Sequence, residues 1–142
     1  MASDDLWILG ISMTKFGKHP DKDMIDLAAE AVLGALADGG VTMSDMGVVA
    51  AGCLMASNAG IGQQLQKQLG QTGVPVYNVA NACATGATAL RVAMMAIKSG
   101  EVDVGLAFGV EKLSGAGLLS GGSRKDDSGV FTPSGRYGAV AP

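Results

Sequence analysis

The chain has 142 residues, of which 48% are hydrophobic, 16% are charged and 22 are glycine, and its net charge is −3. This length suits one domain, or part of one, with a real core, and the hydrophobic content argues against a disordered chain. Ten scattered Lys and Arg residues make a nucleic-acid-binding surface improbable, and two cysteines with one histidine are too few for an ordinary structural zinc site, so we expect no metal.

The first half of the chain predicts two strands and a well-defined helix. Residues 7–13 are apolar and partly β-branched, which indicates a strand. Residues 24–36 repeat apolar side chains at helical spacing, with Asp23 as the expected N-cap and Gly39-Gly40 as the stop. Residues 48–55 form a short continuous apolar run, which is typical of a strand buried on both faces.

The second half continues the alternation. We expect a short helix between Gly60 and Leu69, a strand over 74–80, a long helix over 84–99 and a strand over 102–110. Strands that alternate with helices predict an α/β fold with a mostly parallel sheet and helices on both faces. Residues 115–142 contain seven glycines and no helical or alternating period, which predicts a Gly-rich loop or tail.

No segment has the pattern of a membrane span or a signal peptide. The longest uncharged runs are interrupted by glycine and by polar side chains, and the N-terminus begins MASDDLW, which is acidic where a signal peptide is basic. We therefore predict a cytoplasmic protein without a membrane span, whose cysteines remain thiols.

The helix predicted over 84–99 is apolar almost all round, with Arg91 and Lys98 as its only charges. A helix of this kind must be covered on every side. Either it is the packed helix of a compact three-layer domain, or this chain is half of a larger assembly that covers its second face.

Cys83 lies where the 74–80 strand gives way to this helix. Sites in parallel α/β sheets form at such junctions, and the free N–H groups at a helix start favour a thiolate. Two interpretations remain open from position alone: Cys83 is a nucleophile, or it is a small residue packed at a tight turn.

Three other residues have chemically active side chains. Packing is favoured for Cys53, which sits in a buried-strand pattern. His19 is expected to be exposed, and Glu111 to anchor a loop rather than serve a site.

Several motifs in order carry a family resemblance. The sequence N-A-C-A-T-G follows an apolar strand and opens a helix of small residues that ends in K-S-G, and GEVDVGLAFGVEKLS comes next. This arrangement resembles the N-terminal half of a thiolase, most closely the sterol-carrier-protein type and the thiolase-like lipid-transfer proteins. The resemblance covers residues 6–114. It implies that residues 1–114 are the first part of the N-terminal domain and that residues 115–142 begin the loop region.

The resemblance implies a five-layered αβαβα fold of two similar halves, of which this chain is one half. It implies that Cys83 accepts an acyl group as a thioester and that coenzyme A or an acyl-CoA is the substrate, with no permanently bound cofactor. It also implies a homodimer or higher oligomer, with the 74–80 strand near the dimer interface.

The motifs expected from the C-terminal half of a thiolase are not in these 142 residues. They include a G-H-P histidine that activates the nucleophile, a second cysteine, and an asparagine that lines an oxyanion site. We therefore expect an absent C-terminal domain or a second polypeptide to complete the site, and a chain that is incomplete on its own. Two other functions stay open: a thiolase-like retro-aldolase acting on CoA-linked sterol side chains with an OB-fold partner, and a non-catalytic acyl-binding subunit.

Overall fold

The fold is known from a computed structural model that describes residues 5–56 and 59–113. The chain divides at Glu111 into a first unit, Met1–Glu111, and a second unit, Lys112–Pro142, of which only two residues are described. The loop or tail predicted over 115–142, and with it the domain boundary at residue 114, lies outside the described residues.

Helix α1 spans Met24–Gly39 and begins and ends where the sequence predicts. The Asp23 carboxylate accepts the Asp26 N–H at 2.8 Å, and the Asp26 carboxylate accepts the Asp23 N–H at 3.0 Å. This reciprocal pair is a capping box, which satisfies free donors of the first turn. Gly40 ends the helix with a φ of 64°, in the left-handed region that glycine adopts at low cost.

In the described residues three parallel strands form an open sheet, in which the first strand along the chain lies between the second and the third. Each strand is shorter than the apolar run that predicted it. A 3₁₀ turn, Met43–Asp45, precedes the first strand. The remaining elements, in chain order, are β1 (Val48–Gly52), α2 (Ile61–Leu69), β2 (Val76–Val79), α3 (Thr85–Lys98) and β3 (Gly105–Gly109). The predicted α/β fold with a parallel sheet is confirmed.

The two faces of the sheet carry side chains of different size. Val49 and Ala51 of β1 pack with α1 and α2 in the main core, together with Leu106 and Phe108 of β3. Ala50 of β1 faces the other way and packs with Ala89 and Ala93 of α3. Helices therefore cover both faces, as predicted, and the small residues let α3 approach the sheet backbone closely.

The strand predicted over residues 7–13 is wrong. In the described part of the chain this segment pairs with no strand and instead lies along α1, where the Ile11 N–H donates to the Asp38 carboxylate at 2.9 Å. Gly10 contacts the α1 backbone at Ala35 and Gly39, leaving no room for a β-carbon. The apolar run indicated a strand, but no strand partner is present beside it, and its large side chains are exposed: Trp7, Ile8, Leu9, Ile11 and Met13.

The face of α3 that points away from the sheet is not covered by any described residue. Leu90, Met94 and Met95 are exposed there, which fits the expectation that this helix needs a second covering layer. Among the helices of residues 5–56 and 59–113, none combines the length and apolar character needed to cross a bilayer.

Candidate functional site

The carboxyl ends of all three strands meet the start of α3. The Cys53 N–H, just after β1, donates to the Val79 carbonyl at 3.2 Å, and the Val110 N–H, just after β3, donates to the Gly52 carbonyl at 2.9 Å. A β-carbon on Gly109 would lie 3.3 Å from the Gly86 Cα atom, so β3 runs close beside the first turn of α3. This edge is where parallel α/β folds place their sites.

Cys83 is a free, exposed thiol in the turn that joins β2 to α3, one residue before the N-cap Ala84. We call residues 81–84 the Cys83 turn. The Ala84 N–H closes it by donating to the Asn81 carbonyl at 2.9 Å. The structure thus places Cys83, the candidate nucleophile, at the junction of strand and helix, with its side chain exposed.

The Cys83 turn contains a strained backbone. Ala82 has a φ of 46°, in the left-handed region that costs a residue with a β-carbon about 1–2 kcal/mol. Such outliers persist only where the surroundings enforce them, and they cluster at functional sites. A sharp, strained turn from strand to helix is also the device by which other folds raise a nucleophilic side chain above a sheet.

The Thr85 side chain bonds to the backbone of this turn, a role that the sequence analysis did not predict. Its hydroxyl accepts the Asn81 N–H at 2.8 Å and donates to the Ala82 carbonyl at 2.7 Å, and it is 7% exposed. The Asn81 amide in turn donates to the Thr88 hydroxyl at 3.0 Å. Asn and Thr side chains readily form hydrogen bonds with nearby backbone groups. An Asn and a Thr on either side of Cys83 were therefore the sequence signal that could have predicted these bonds.

The first turn of α3 offers free donors beside Cys83. Ala84 has no side-chain group that could cap the helix, and the N–H groups of Gly86 and Ala87 meet no acceptor among the described residues. A β-carbon built on Gly86 meets no atom of residues 5–56 or 59–113 within 4 Å, so these residues leave the space beside this turn open. Free N–H groups at a helix start stabilise negative charge that comes near them.

Cys53 has the opposite environment. It is 2% exposed at the end of β1, and its Sγ lies 3.5 Å from the Met24 Sδ atom. Burial raises the pKa of the Cys53 thiol to about 11, and the nearby Glu111 carboxylate adds to the rise. A thiol that stays protonated and buried is inert, so the packing interpretation of Cys53 is confirmed.

Glu111 anchors a loop, as expected. Its carboxylate accepts the Leu54 N–H at 2.8 Å, the Met55 N–H at 3.1 Å and the Cys53 thiol at 3.3 Å. The segment after β3 is thereby tied to the segment after β1. Both oxygens of the Glu111 carboxylate therefore accept structural hydrogen bonds.

His19 does not reach the Cys83 turn through any described contact. It is partly buried rather than exposed, and its Nε2 lies 2.7 Å from the Lys15 carbonyl oxygen. Within residues 5–56 and 59–113, no three His, Cys, Asp or Glu side chains come together in a way that could hold a metal ion.

Comparison with known proteins places this geometry in a family. The chain is 37% identical to sterol carrier protein 2 of Gallus gallus over 118 residues, and 37% identical to an acetyl-CoA acetyltransferase of Methanothermobacter thermautotrophicus over 114 residues. These matches cover 82% and 78% of this chain but only 22% and 30% of the two relatives. A non-specific lipid-transfer protein-like 2 of Caenorhabditis elegans is 36% identical over 86% of this chain and 30% of its own length.

A solved structure shares the fold. The crystal structure of Xanthomonas campestris OleA H285D aligns with a TM-score of 0.51 over 58% of this chain and 25% of that one, at 21% sequence identity. The family model of the thiolase N-terminal domain matches residues 6–126, in keeping with the resemblance carried by the motif around Cys83. Because this match takes in most of the chain, the protein belongs to the thiolase family.

Proposed function

We propose that this chain is the nucleophile-bearing part of a thiolase-type acyl-CoA acyltransferase, with Cys83 as the residue that becomes acylated. The observation that carries the proposal is the exposed thiol on a strained turn between a parallel strand and a helix. The acetyl-CoA acetyltransferase among the relatives supports the same reaction class. The substrate in this proposal is an acyl-CoA or β-ketoacyl-CoA, and no bound cofactor takes part.

In the proposed reaction the Cys83 thiolate attacks the carbonyl carbon next to the bond that breaks. A carbon–sulfur bond forms to Cys83, and in the degradative direction the carbon–carbon bond of the β-ketoacyl-CoA breaks. Its electron pair leaves with the acetyl-CoA fragment, which then takes up a proton. The thiol of free coenzyme A next gives up its proton and attacks the Cys83 thioester. The carbon–sulfur bond to Cys83 breaks, the acyl group leaves as acyl-CoA, and Cys83 is released as a thiolate. The free N–H groups at the start of α3 are available to stabilise negative charge nearby.

The described residues provide the nucleophile but no base for it. Activation of a thiol of this kind needs a neighbouring base such as histidine, and His19 is occupied locally with Lys15. The chain spans 22% to 30% of the relatives compared above. The proposal therefore places the base and the second acid–base group in residues outside these 142, on a C-terminal half or a second polypeptide, within a homodimer or larger oligomer.

The direct test is to incubate the complete enzyme with acetyl-CoA and to locate the adduct by mass spectrometry of its peptides. We expect an acetyl group on the peptide that contains Cys83. Cys83→Ala removes the adduct, whereas the matched control Cys53→Ala leaves it in place. Acetylation at any other residue, or at none, overturns the assignment of Cys83.

Turnover by the Cys83→Ala enzyme distinguishes the other functions. A retro-aldolase acting on CoA-linked sterol side chains with an OB-fold partner keeps its activity without the thiol, whereas a thiolase loses it. The sterol carrier and lipid-transfer names of the relatives favour a second candidate, an acyl-binding subunit without turnover. That candidate binds acyl-CoA with equal affinity before and after the substitution and forms no adduct.

A further inference from the structure

We infer that the Thr85 hydroxyl is a positioning residue for Cys83, because it is the group that fixes the backbone of the turn from which the thiol projects. This inference rests on the proposed function and adds to it a residue whose hydroxyl bonds to the backbone before Cys83. It follows from three observations: the bonds of the hydroxyl, the conformation of Ala82, and the packing of the Thr85 methyl group.

The hydroxyl uses both its hydrogen-bonding roles on the same short segment. It accepts from the Asn81 N–H and donates to the Ala82 carbonyl, at 2.8 and 2.7 Å. These two backbone groups lie immediately before Cys83. Because the hydroxyl is buried, water does not compete for either bond, and the pair acts as a clamp that spans the Ala82 residue.

Ala82 needs such a clamp. Its φ of 46° is disfavoured for a residue with a β-carbon, so an unrestrained alanine would move to a right-handed or extended conformation. A change of φ at Ala82 redirects the next residue along the chain, which is Cys83. Fixing Ala82 therefore fixes where the sulfur atom sits relative to the start of α3.

The Thr85 side chain is itself held by the sheet. A β-carbon on Gly52 would lie 3.1 Å from the Thr85 Cγ2 atom and 3.1 Å from the Thr85 carbonyl oxygen, so the Thr85 methyl group lies beside β1 in the space that the missing side chain of Gly52 leaves. A β-branched side chain in a helix has few rotamers, and this contact selects among them. The clamp therefore holds the backbone of the Cys83 turn in a fixed place relative to β1, the central strand.

The test uses two substitutions of Thr85 in the complete enzyme. Thr85→Val keeps the branched shape and loses both hydrogen bonds, and Thr85→Ser keeps the hydroxyl and loses the methyl group. The measured quantity is the single-turnover rate of Cys83 acylation as a function of acetyl-CoA concentration. We expect Thr85→Val to lower the maximal rate at least about tenfold, because a small misplacement of a reacting group is costly. The half-saturating concentration should stay unchanged, and Thr85→Ser should remain within about threefold of the natural enzyme.

A matched control separates positioning from a general loss of stability. Gln66 is the other buried polar side chain among the described residues, and its amide donates to the Val74 carbonyl at 2.7 Å. Gln66→Met removes a buried hydrogen bond away from the Cys83 turn. If Gln66→Met slows acylation as much as Thr85→Val does, or if Thr85→Ser is as slow as Thr85→Val, the inference is overturned.

A second readout does not depend on the proposed function. The ¹³Cα and ¹³Cβ chemical shifts of Ala82 report its backbone conformation, and we expect them to leave their left-handed values in Thr85→Val and keep them in Thr85→Ser. Unchanged shifts in Thr85→Val overturn the clamp, even in an active enzyme. A natural enzyme that forms no Cys83 adduct but shows the expected shifts contradicts the proposed function and leaves the clamp standing.

Discussion

The two cysteines follow neighbouring strands at the same edge of the sheet, and one is buried while the other is exposed. Cys53 follows β1, is buried, and has a pKa raised to about 11 by burial. Cys83 follows β2, is exposed, and sits on a turn with a left-handed residue. A cysteine follows each of these two strands, and the loop after the strand determines whether its side chain is buried or exposed.

The loops differ in what restrains them. The loop after β1 is held by a charged side chain from a distant segment, since the Glu111 carboxylate accepts the Leu54 and Met55 N–H groups. The turn after β2 is held by its own neighbour, Thr85, through a short-range clamp. Where Glu111 anchors the loop from a distant segment, Cys53 is buried. Where Thr85 bonds to the turn locally, Cys83 stays at the surface.

Selective alkylation gives the largest expected difference. At pH 8 a thiol with a pKa of about 11 is only about 0.1% ionised, and burial blocks access as well. We expect iodoacetamide to modify Cys83 at least about 100-fold faster than Cys53 in the folded protein. Peptide mass spectrometry over a time course measures both rates. The two rates should become similar in urea, and equal rates in the folded protein would contradict the comparison.

Glu111→Gln tests the long-range anchor. The amide keeps the size of the side chain but loses its charge, and its NH₂ group cannot accept either backbone N–H. Hydrogen bonds to a charged group are worth about 1.5–3 kcal/mol, so we expect the free energy of unfolding to fall by about 2–3 kcal/mol. Urea denaturation measures the change.

The exposed Glu101 provides the control for this substitution. Glu101→Gln should alter the free energy of unfolding by no more than about 0.5 kcal/mol.

Loss of the Glu111 charge should also lower the pKa of Cys53, because that carboxylate contributes to raising it. Faster alkylation of Cys53 in Glu111→Gln is therefore expected, and an unchanged stability would show that the anchor is not needed.

Gly52→Ala tests the contact that joins the two regions. The new β-carbon would lie 3.1 Å from both the Thr85 Cγ2 atom and the Thr85 carbonyl oxygen, and 3.3 Å from the Phe108 carbonyl oxygen. Two of these atoms are backbone and cannot easily move away, so we expect a loss of about 1–3 kcal/mol in the free energy of unfolding. Thermal or urea denaturation measures this loss. An unchanged free energy of unfolding would mean that α3 can move away from β1 to make room for the new β-carbon.

Gly86→Ala gives the smallest expected effect, with the opposite sign. Its β-carbon meets nothing within 4 Å, and alanine is favoured over glycine inside a helix. We expect the free energy of unfolding to rise by about 0.5–1 kcal/mol. The same denaturation experiment compares it with Gly52→Ala. A loss of stability here would show that the space beside the Cys83 turn is filled in the complete protein.

Much of the fold followed from local sequence patterns. The apolar spacing of residues 24–36, with Asp23 before it and Gly40 after it, defines α1 without reference to the rest of the chain. The three parallel strands were also found, although pairing set their ends more narrowly than the apolar runs did. The exception was the segment at residues 7–13, because an apolar run becomes a strand only where a partner strand lies beside it.

The candidate site divides in the same way. The sequence by itself determined that a cysteine lies between a strand and a helix of small residues, and that Glu111 follows the last strand. Only the tertiary structure decided that Thr85 clamps a left-handed Ala82 and that Glu111 bonds to backbone 57 residues earlier in the chain. Periodicity and capping act over a few residues and can be read from the chain. A distant hydrogen bond forms only when the sheet has brought its partners together, and the left-handed residue of a strained turn has no pattern of residue types that would show it in the chain.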